Sequence, residues 1–373
     1  IVGPADGLAE PGRYGGTLRM LMSGAKDTRM MTVYGYARLV AYNEKLELVP
    51  DILERVEIEG DRVFTLHLRP GHRWSDGHPF TAEDFRYFWE DICHNEALAP
   101  MGMPAGLVID GEVPRFEVLG PTVVQFRWSR PNPYFLPALA AASPLYIYRP
   151  AHYMKAYHPR YSDPAKLEEK ARQAGQRNWA AIHNRMDNQY RNDNPRLPTL
   201  DPWVVMTKPP ADRFVFQRNP YYHRVDTAGQ QLPYIDQVIF SIADGKLIPA
   251  KAGAGESDLQ ARYLRFDNYT FLRQSAKRQD MSVHLWRTGY GAHLALYPNL
   301  NVEDEVWRQV FRDARFRRAL SLAINRKEVN QVIYYGLAQP GGNTLAPESP
   351  LYHPVNHETW ARFDMKAAAA LLD

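Results

Sequence analysis

Ser23, Lys26 and Asp27 place a hydroxyl, an ammonium and a carboxylate within five residues, directly after Thr17-Leu18-Arg19-Met20-Leu21-Met22. That run reads as a first strand, and ligands in open α/β sheets bind at the carboxyl ends of strands. Other clusters of reactive side chains carry less. His353 and His357 have the i, i+4 spacing that puts two imidazoles on one helix face. Pro354 and the loop Pro347-Glu348-Ser349-Pro350 interrupt that helix, so they read as surface histidines. His72 and His78 flank a turn beside Asp76 and read as part of a hydrogen-bonded turn rather than a catalytic dyad. Arg312, Arg315, Arg317, Arg318, Arg326 and Lys327 form the strongest charge cluster, read as the solvated face of one helix.

Nucleophile, metal and phosphate signatures do not stand. G-x-S-x-G, H-E-x-x-H and the Walker loop are missing from the sequence. Gly12, Gly15 and Gly16 precede the first strand, where a dinucleotide fingerprint would follow it. No catalytic residue, metal ligand or cofactor is therefore expected. Cys93 is the single cysteine, so neither an intrachain disulfide nor a thiolate cluster can form. It falls in the apolar-periodic run Phe85–Ile92 and its flank, the setting of a buried, inert thiol.

Composition bounds the rest. The 373 residues imply two or three domains, and 45% hydrophobic with 23% charged residues is ordinary for a globular protein. A net charge of +3 is too weak for a nucleic-acid partner. No run approaches a membrane span, and no charged-then-apolar leader opens the chain. The protein reads as soluble, or as a processed form whose signal was removed.

The elements that must position these residues follow from periodicity. Arg55–Ile58 with Arg62–Leu68, and Arg115–Leu119 with Val123–Trp128, read as two hairpins with period-two alternation. Thr81 reads as the N-cap of a helix, with Glu83 and Asp84 in its first turn and Phe80 and Phe85 placed as a hydrophobic staple. Lys166 to about Ile182 reads as one charged helical stretch. Strands are expected at Trp203–Met206, Arg213–Gln217 and Gln237–Ile242, and again at Val283–Trp286 and His293–Tyr297. Asp313 should cap a helix with Phe316, Leu320, Ala323 and Ile324 on its apolar face. Asn325 should cap the next, with Glu328 in the capping box and Gly336 ending it. Lys366–Asp373 opens an amphipathic helix and stops.

Taken in order, these motifs resemble family 5 of the bacterial extracellular solute-binding proteins, the oligopeptide, dipeptide and nickel type of ABC-importer receptors. Gly15-Gly16-Thr17-Leu18, Phe64–Gly71, Trp74-Ser75-Asp76-Gly77 and Phe80-Thr81-Ala82-Glu83-Asp84-Phe85 carry the resemblance in the first half. Arg218–Tyr222, Leu232–Asp236 and Phe316–Arg326 extend it. The resemblance implies an α/β, periplasmic-binding-protein-like type II fold of two lobes, with an extra subdomain inserted in lobe I and lobe II incomplete. Residues 1–33 and 201–245 would form the lobe I sheet subdomain, 34–200 the inserted subdomain, and 246–373 the N-terminal portion of lobe II. A solute would be captured between the lobes and delivered to ABC permease subunits by a monomer without catalytic activity. Its location would be periplasmic or extracellular, free or lipid-anchored.

Peptide is the default ligand of that family. Asp226–Asp236 and the 12% aromatic content resemble its larger members, some of which bind oligosaccharides. Sugar rings stack their C–H faces on aromatics, which makes Tyr34, Trp203, Trp286 and Tyr290 candidate platforms beside Ser23, Lys26 and Asp27. For any one of the four, core packing is the commoner role of such a ring. A carbohydrate hydrolase with paired carboxylates in an aromatic cleft is the alternative, and the 42 acidic residues permit it without selecting a pair. A chaperone-like or adhesive use of the same fold is a third.

Overall fold

The computed structural model describes residues 11–286, 292–347 and 349–373. Its strands are β1 (Thr17–Met22), β2 (Val40–Tyr42), β3 (Leu48–Pro50), β4 (Leu53–Glu59), β5 (Val63–Leu68), β6 (Arg115–Gly120), β7 (Val123–Arg127), β8 (Trp203–Val205), β9 (Arg213–Arg218) and β10 (Gln237–Ile242). They build a sheet of order β1-β10-β9-β8, a second of order β4-β5-β7-β6 and a small β2-β3 pair. β1 runs parallel to β10, Thr17 opposite Gln237 through Met22 opposite Ile242; every other pairing in the first sheet is antiparallel. Met20, Met22, Phe214, Phe216, Val238 and Phe240 form its core with Met31.

The second sheet follows the expected alternation. Phe64 lies opposite Phe126, itself opposite Phe116, so three aromatic side chains line up across three strands on one face. Trp74, Phe85, Trp128 and Phe135 complete that core. Thr65, on the alternate face, is also buried and accepts a hydrogen bond from Gln125 Nε2 at 2.9 Å.

The Thr81 cap forms as the sequence predicts. Thr81 Oγ1 accepts from Glu83 N at 3.3 Å, Thr81 N donates to Asp84 Oδ2 at 2.9 Å, and the Phe80 and Phe85 rings pack 5.6 Å apart. Asp84 does more than cap, because its carboxylate also accepts from Trp74 Nε1 at 3.2 Å and Ala151 N at 3.0 Å. Helix Ala82–Arg86 continues into a wider π-helical segment, Tyr87–Cys93, which buries Tyr87, Phe88, Asp91, Ile92 and Cys93. Burial pushes the Cys93 thiol up to about 12, in keeping with an inert side chain.

Asp51 fastens this inserted part to the returning chain. Its carboxylate accepts from Arg38 N (2.9 Å), His223 Nε2 (2.8 Å), Arg224 Nε (2.9 Å) and Arg224 Nη2 (2.7 Å). Burial opposes ionisation, but the His223 hydrogen bond and the two-pronged Arg224 pair outweigh it and hold Asp51 well below the usual carboxylate range. Burial lowers His223, so it donates as a neutral imidazole.

Several expected elements differ. The stretch Lys166–Ile182 is two helices, Pro164–Gln173 capped by Asp163 and Trp179–Met186 capped by Asn178, because Gly175 takes a left-handed φ of 65° between them. Val283–Trp286 and His293–Tyr297 are not strands. Both alternate polar and apolar residues, but neither finds a pairing partner among the described residues, and Trp286, Leu294, Leu296 and Tyr297 stay exposed. The chain divides into two compact units, Ile1–Tyr263 and Leu264–Asp373. Described residues of the second unit are helical where they are regular.

Within that unit Asp313 caps helix Ala314–Leu322, and Asn325 caps Arg326–Tyr334 with Glu328 in place. The buried face of the first is Ala319 and Leu322 against Ala368, not Phe316, Leu320, Ala323 and Ile324. Tyr335 and Gly336, both left-handed, end the second. The basic cluster spans three helices and serves chain ends: Arg312 donates to Leu300 O, Arg317 to Phe311 O and Arg326 to Gly341 O, while Arg318 covers the Trp360 ring.

Two tests follow from this packing. Asp84→Ala strips the acceptor from buried Trp74 and from the cap, and should lower stability by about 3 kcal/mol in urea unfolding, against about 1 for Thr81→Ala. His183 is buried with its Nε2 2.9 Å from the Tyr87 hydroxyl, and burial, then His158 and Arg149, pull it down to about 3. The unfolded imidazole takes its proton near 6.5, so this stability is full above that pH and is lost on acidification. At pH 5 the loss should be about 2 kcal/mol relative to pH 7, and His183→Phe should flatten that part of the profile.

Candidate ligand-binding site

β1 is an edge strand, so one side of its backbone lacks a neighbouring strand. The chain after β10 covers that side with side chains. Past helix Ile248–Gly253, Asp258 Oδ2 accepts from Arg19 N at 2.7 Å. Gln260 accepts from Leu21 N through Oε1 and donates to Leu21 O through Nε2, both at 3.0 Å. Gln260 thus stands in for a strand residue. Two positions on, Arg262 reaches Asp27.

Asp27 is 1% exposed, in a short 3-10 turn, Ala25–Arg29, just beyond β1. Its Oδ1 accepts from Arg262 Nε at 2.9 Å, and its Oδ2 from Tyr263 OH at 2.6 Å and Ser23 N at 3.2 Å. Ser23 Oγ donates to the Tyr263 hydroxyl. Gly245 keeps the space open, since a Cβ there would stand 3.3 Å from the Tyr263 ring. Burial pulls Arg262 down, but Asp27 and Tyr263 outweigh it and leave the guanidinium raised. Burial raises Tyr34, opposed by Arg262 and reinforced by Asp27.

Ser23 and Asp27 are therefore brought together, and exposed Lys26 lies in the same turn as Asp27. Trp203 is engaged elsewhere, packing on the first sheet's core and donating Nε1–H to Ile235 O at 3.0 Å. Tyr34 packs on that core too, which leaves neither ring as a free platform. Trp286 is 73% exposed, and Tyr290 lies outside the described residues. His78 packs on His152, which bonds Asp76, as a structural turn does; His72 points elsewhere. His353 is the N-cap residue of helix Pro354–Glu358 and His357 lies inside it.

Arg262 and Tyr263 escape the spacing argument because they lie 235 and 236 positions from Asp27. A signal existed: Asp258, Gln260 and Arg262 alternate with Leu259 and Ala261, a period-two row of polar groups facing one strand. Both Asp27 oxygens are engaged, while partly exposed Arg262 and exposed Lys26 offer cationic donors.

The family described as bacterial extracellular solute-binding proteins, family 5 Middle, matches residues 47–373. The chain belongs to that family. It is 25% identical over 346 residues to the periplasmic alpha-galactoside-binding protein of Rhizobium meliloti, covering 88% of this chain and 46% of that one. Among solved structures, an oligopeptide-binding protein OppA is 33% identical, with a TM-score of 0.80 over 100% of this chain and 58% of its own. The binding protein MelB of Agrobacterium fabrum C58, solved with stachyose, matches at 22% identity and a TM-score of 0.65 over 97% of this chain and 55% of its own, a likeness of fold. The chain spans about half the length of these relatives.

Asp27→Ala should cost about 2 kcal/mol in urea unfolding, the value of charge-assisted hydrogen bonds at a site where Arg262 is part-solvated. Amide exchange over residues 258–263 should accelerate in the same variant, and Gln260→Leu should speed exchange at Leu21 without touching Asp27.

Proposed function

We propose that this chain is the solute-capturing component of an ABC importer, a periplasmic or extracellular monomer that delivers its ligand to membrane permease subunits without turnover. The observation that carries this reading is the family match over residues 47–373, together with the fold it shares with an oligopeptide-binding protein across the whole chain. None of its described helices is long and apolar enough to cross a membrane, which suits a receptor acting outside the bilayer.

The ligand we favour is an oligopeptide, with Lys26 and Arg262 at the end of β1 offering donors to its carbonyl or carboxylate oxygens. Oligosaccharide is the second reading, supported by exposed Trp286 and by the alpha-galactoside-binding relative. Tyr34 and Trp203 weaken it, because the core occupies the rings a sugar would need. The hydrolase reading is weaker still, since Asp27 is tied on both oxygens and has no room to shuttle a proton.

A thermal-shift screen of the intact protein against oligopeptide and oligosaccharide libraries tests this. A ligand at a hundredfold excess over its Kd should stabilise the protein by about 2.7 kcal/mol and raise its melting temperature. Lys26→Ala should weaken that ligand about tenfold and leave the ligand-free melting temperature unchanged. Silence across both libraries, or recovery of cleaved ligand, refutes the proposal.

A further inference from the structure

β6 is an edge strand of the second sheet, as β1 is of the first. The two edges are treated differently. Asp258 and Gln260 cover the backbone of β1, whereas that of β6 is left open. Strand pairing tells which of its groups are free. Trp128 N donates to Arg62 O and Leu68 N to Thr122 O, so the even-numbered residues of β7 bond to β5 and the odd-numbered ones to β6. Arg127 and Gln125 lie opposite Arg115 and Glu117, which therefore spend their N–H and C=O groups on β7. Phe116 and Val118 turn theirs away from the sheet, and neither backbone bonds to a described residue on that side.

The side chains stop at the same line. Val118 continues the row of Leu66 and Val124, both 0% exposed, yet is itself 46% exposed, and Leu119 after it is 53% exposed. The apolar layer of the sheet thus ends one strand short of covering its last member. Edges are ordinarily closed by a proline, an inward-pointing charge or a bulge. Arg115–Val118 has none of these: Arg115 and Glu117 alternate with core-facing Phe116 and so lie on the outer face, Pro114 precedes the strand, and the irregularity falls after Val118.

Charge on the outer face sets the pattern of a newcomer. Arg115 lies opposite Arg127, and Glu117 heads a row through Gln125 and Thr65 to Glu57. An added antiparallel strand, read from its N-terminus, meets Val118, Glu117, Phe116 and Arg115 in turn. It should therefore run apolar, basic, apolar, acidic. We infer that the β6 edge is a docking site for an extended polypeptide segment of that pattern, held through the Phe116 and Val118 backbones. A second copy of β6 fits it poorly. A two-fold axis at Glu117 sets two carboxylates opposite each other, one at Phe116 sets Pro114, which has no N–H, opposite Val118, and one at Val118 meets the irregularity.

Titration of the isotope-labelled intact protein with end-capped peptides built on Val-Lys-Val-Glu, followed by NMR at the Phe116 and Val118 amides, tests this. Both signals should shift saturably and their hydrogen exchange should slow. Val-Glu-Val-Lys, of the same composition, should bind about tenfold more weakly. Glu117→Lys should move the preference to Val-Glu-Val-Glu. Val118→Pro removes an N–H the sheet does not use and should abolish binding; Glu117→Lys, a surface change, decides the matter if the proline disturbs the strand. Lys26→Ala should bind as the native protein does. Equal binding of the two scrambled peptides, no binding, shifts that spare Phe116 and Val118, or a ligand-free dimer through β6 overturns the inference. Failure here leaves the solute-capture reading standing, because capped peptides at β6 and a solute at the end of β1 are read by different variants.

Discussion

The parallel pairing of β1 with β10 is the constraint on which the first unit depends. It joins residues 17–22 to 237–242, so the whole second sheet, the π-helical segment and the two helices after Asp163 form one excursion between two neighbouring strands. Closing such a loop has an entropic cost that grows only slowly with length, about 0.6 kcal/mol per doubling. The cost can therefore be met by a few good contacts. Six paired residues and the buried Met20, Met22, Val238 and Phe240 supply them. The same pairing sets the end of β1 beside the chain leaving β10, which brings Arg262 and Tyr263 to Asp27.

Polar clusters then fix what the strands bring near. Arg38 is buried and donates to the carbonyls of Ala37, Thr32, Ala141 and Ala142, while its backbone N–H goes to Asp51. Asp51 gathers Arg224 and His223 from beyond β9, and Asp84 gathers Trp74 and Ala151. In each case one ionised group is surrounded by donors or acceptors from segments far apart in sequence. A buried ion pair such as Asp51–Arg224 adds little net stability over an apolar replacement, but losing one partner is severe, so it specifies geometry more than it deepens the well.

The sequence made local structure legible wherever a local rule decides it. Thr81 with Asp84, Phe80 with Phe85, Asn325 with Glu328, and the alternation of Phe64, Leu66 and Leu68 needed only neighbours within a few positions. It failed where a partner or an interruption decides. Val283–Trp286 and His293–Tyr297 alternate as strands do, but alternation gives a strand only a face, and a ladder needs a second chain. Lys166–Ile182 carries helical composition throughout, yet one glycine in a left-handed conformation divides it. Ser23 and Asp27 could be named from their place after β1; Arg262, Tyr263 and Gln260 could not, because the pairing that makes them neighbours spans the unit. Trp203 and Tyr34 were candidates for stacking because aromatic rings suit both a ligand and a core, and composition cannot separate the two.

Hydrogen bonding decides what the buried carboxylates of the first unit can still offer. Asp27, Asp51 and Asp84 each sit in a full set of donors, and a group whose hydrogen bonds are complete has nothing left to offer a ligand. Asp27 therefore shapes the end of β1, and Lys26 and the outer side of Arg262 are the groups there that still have donors to spare.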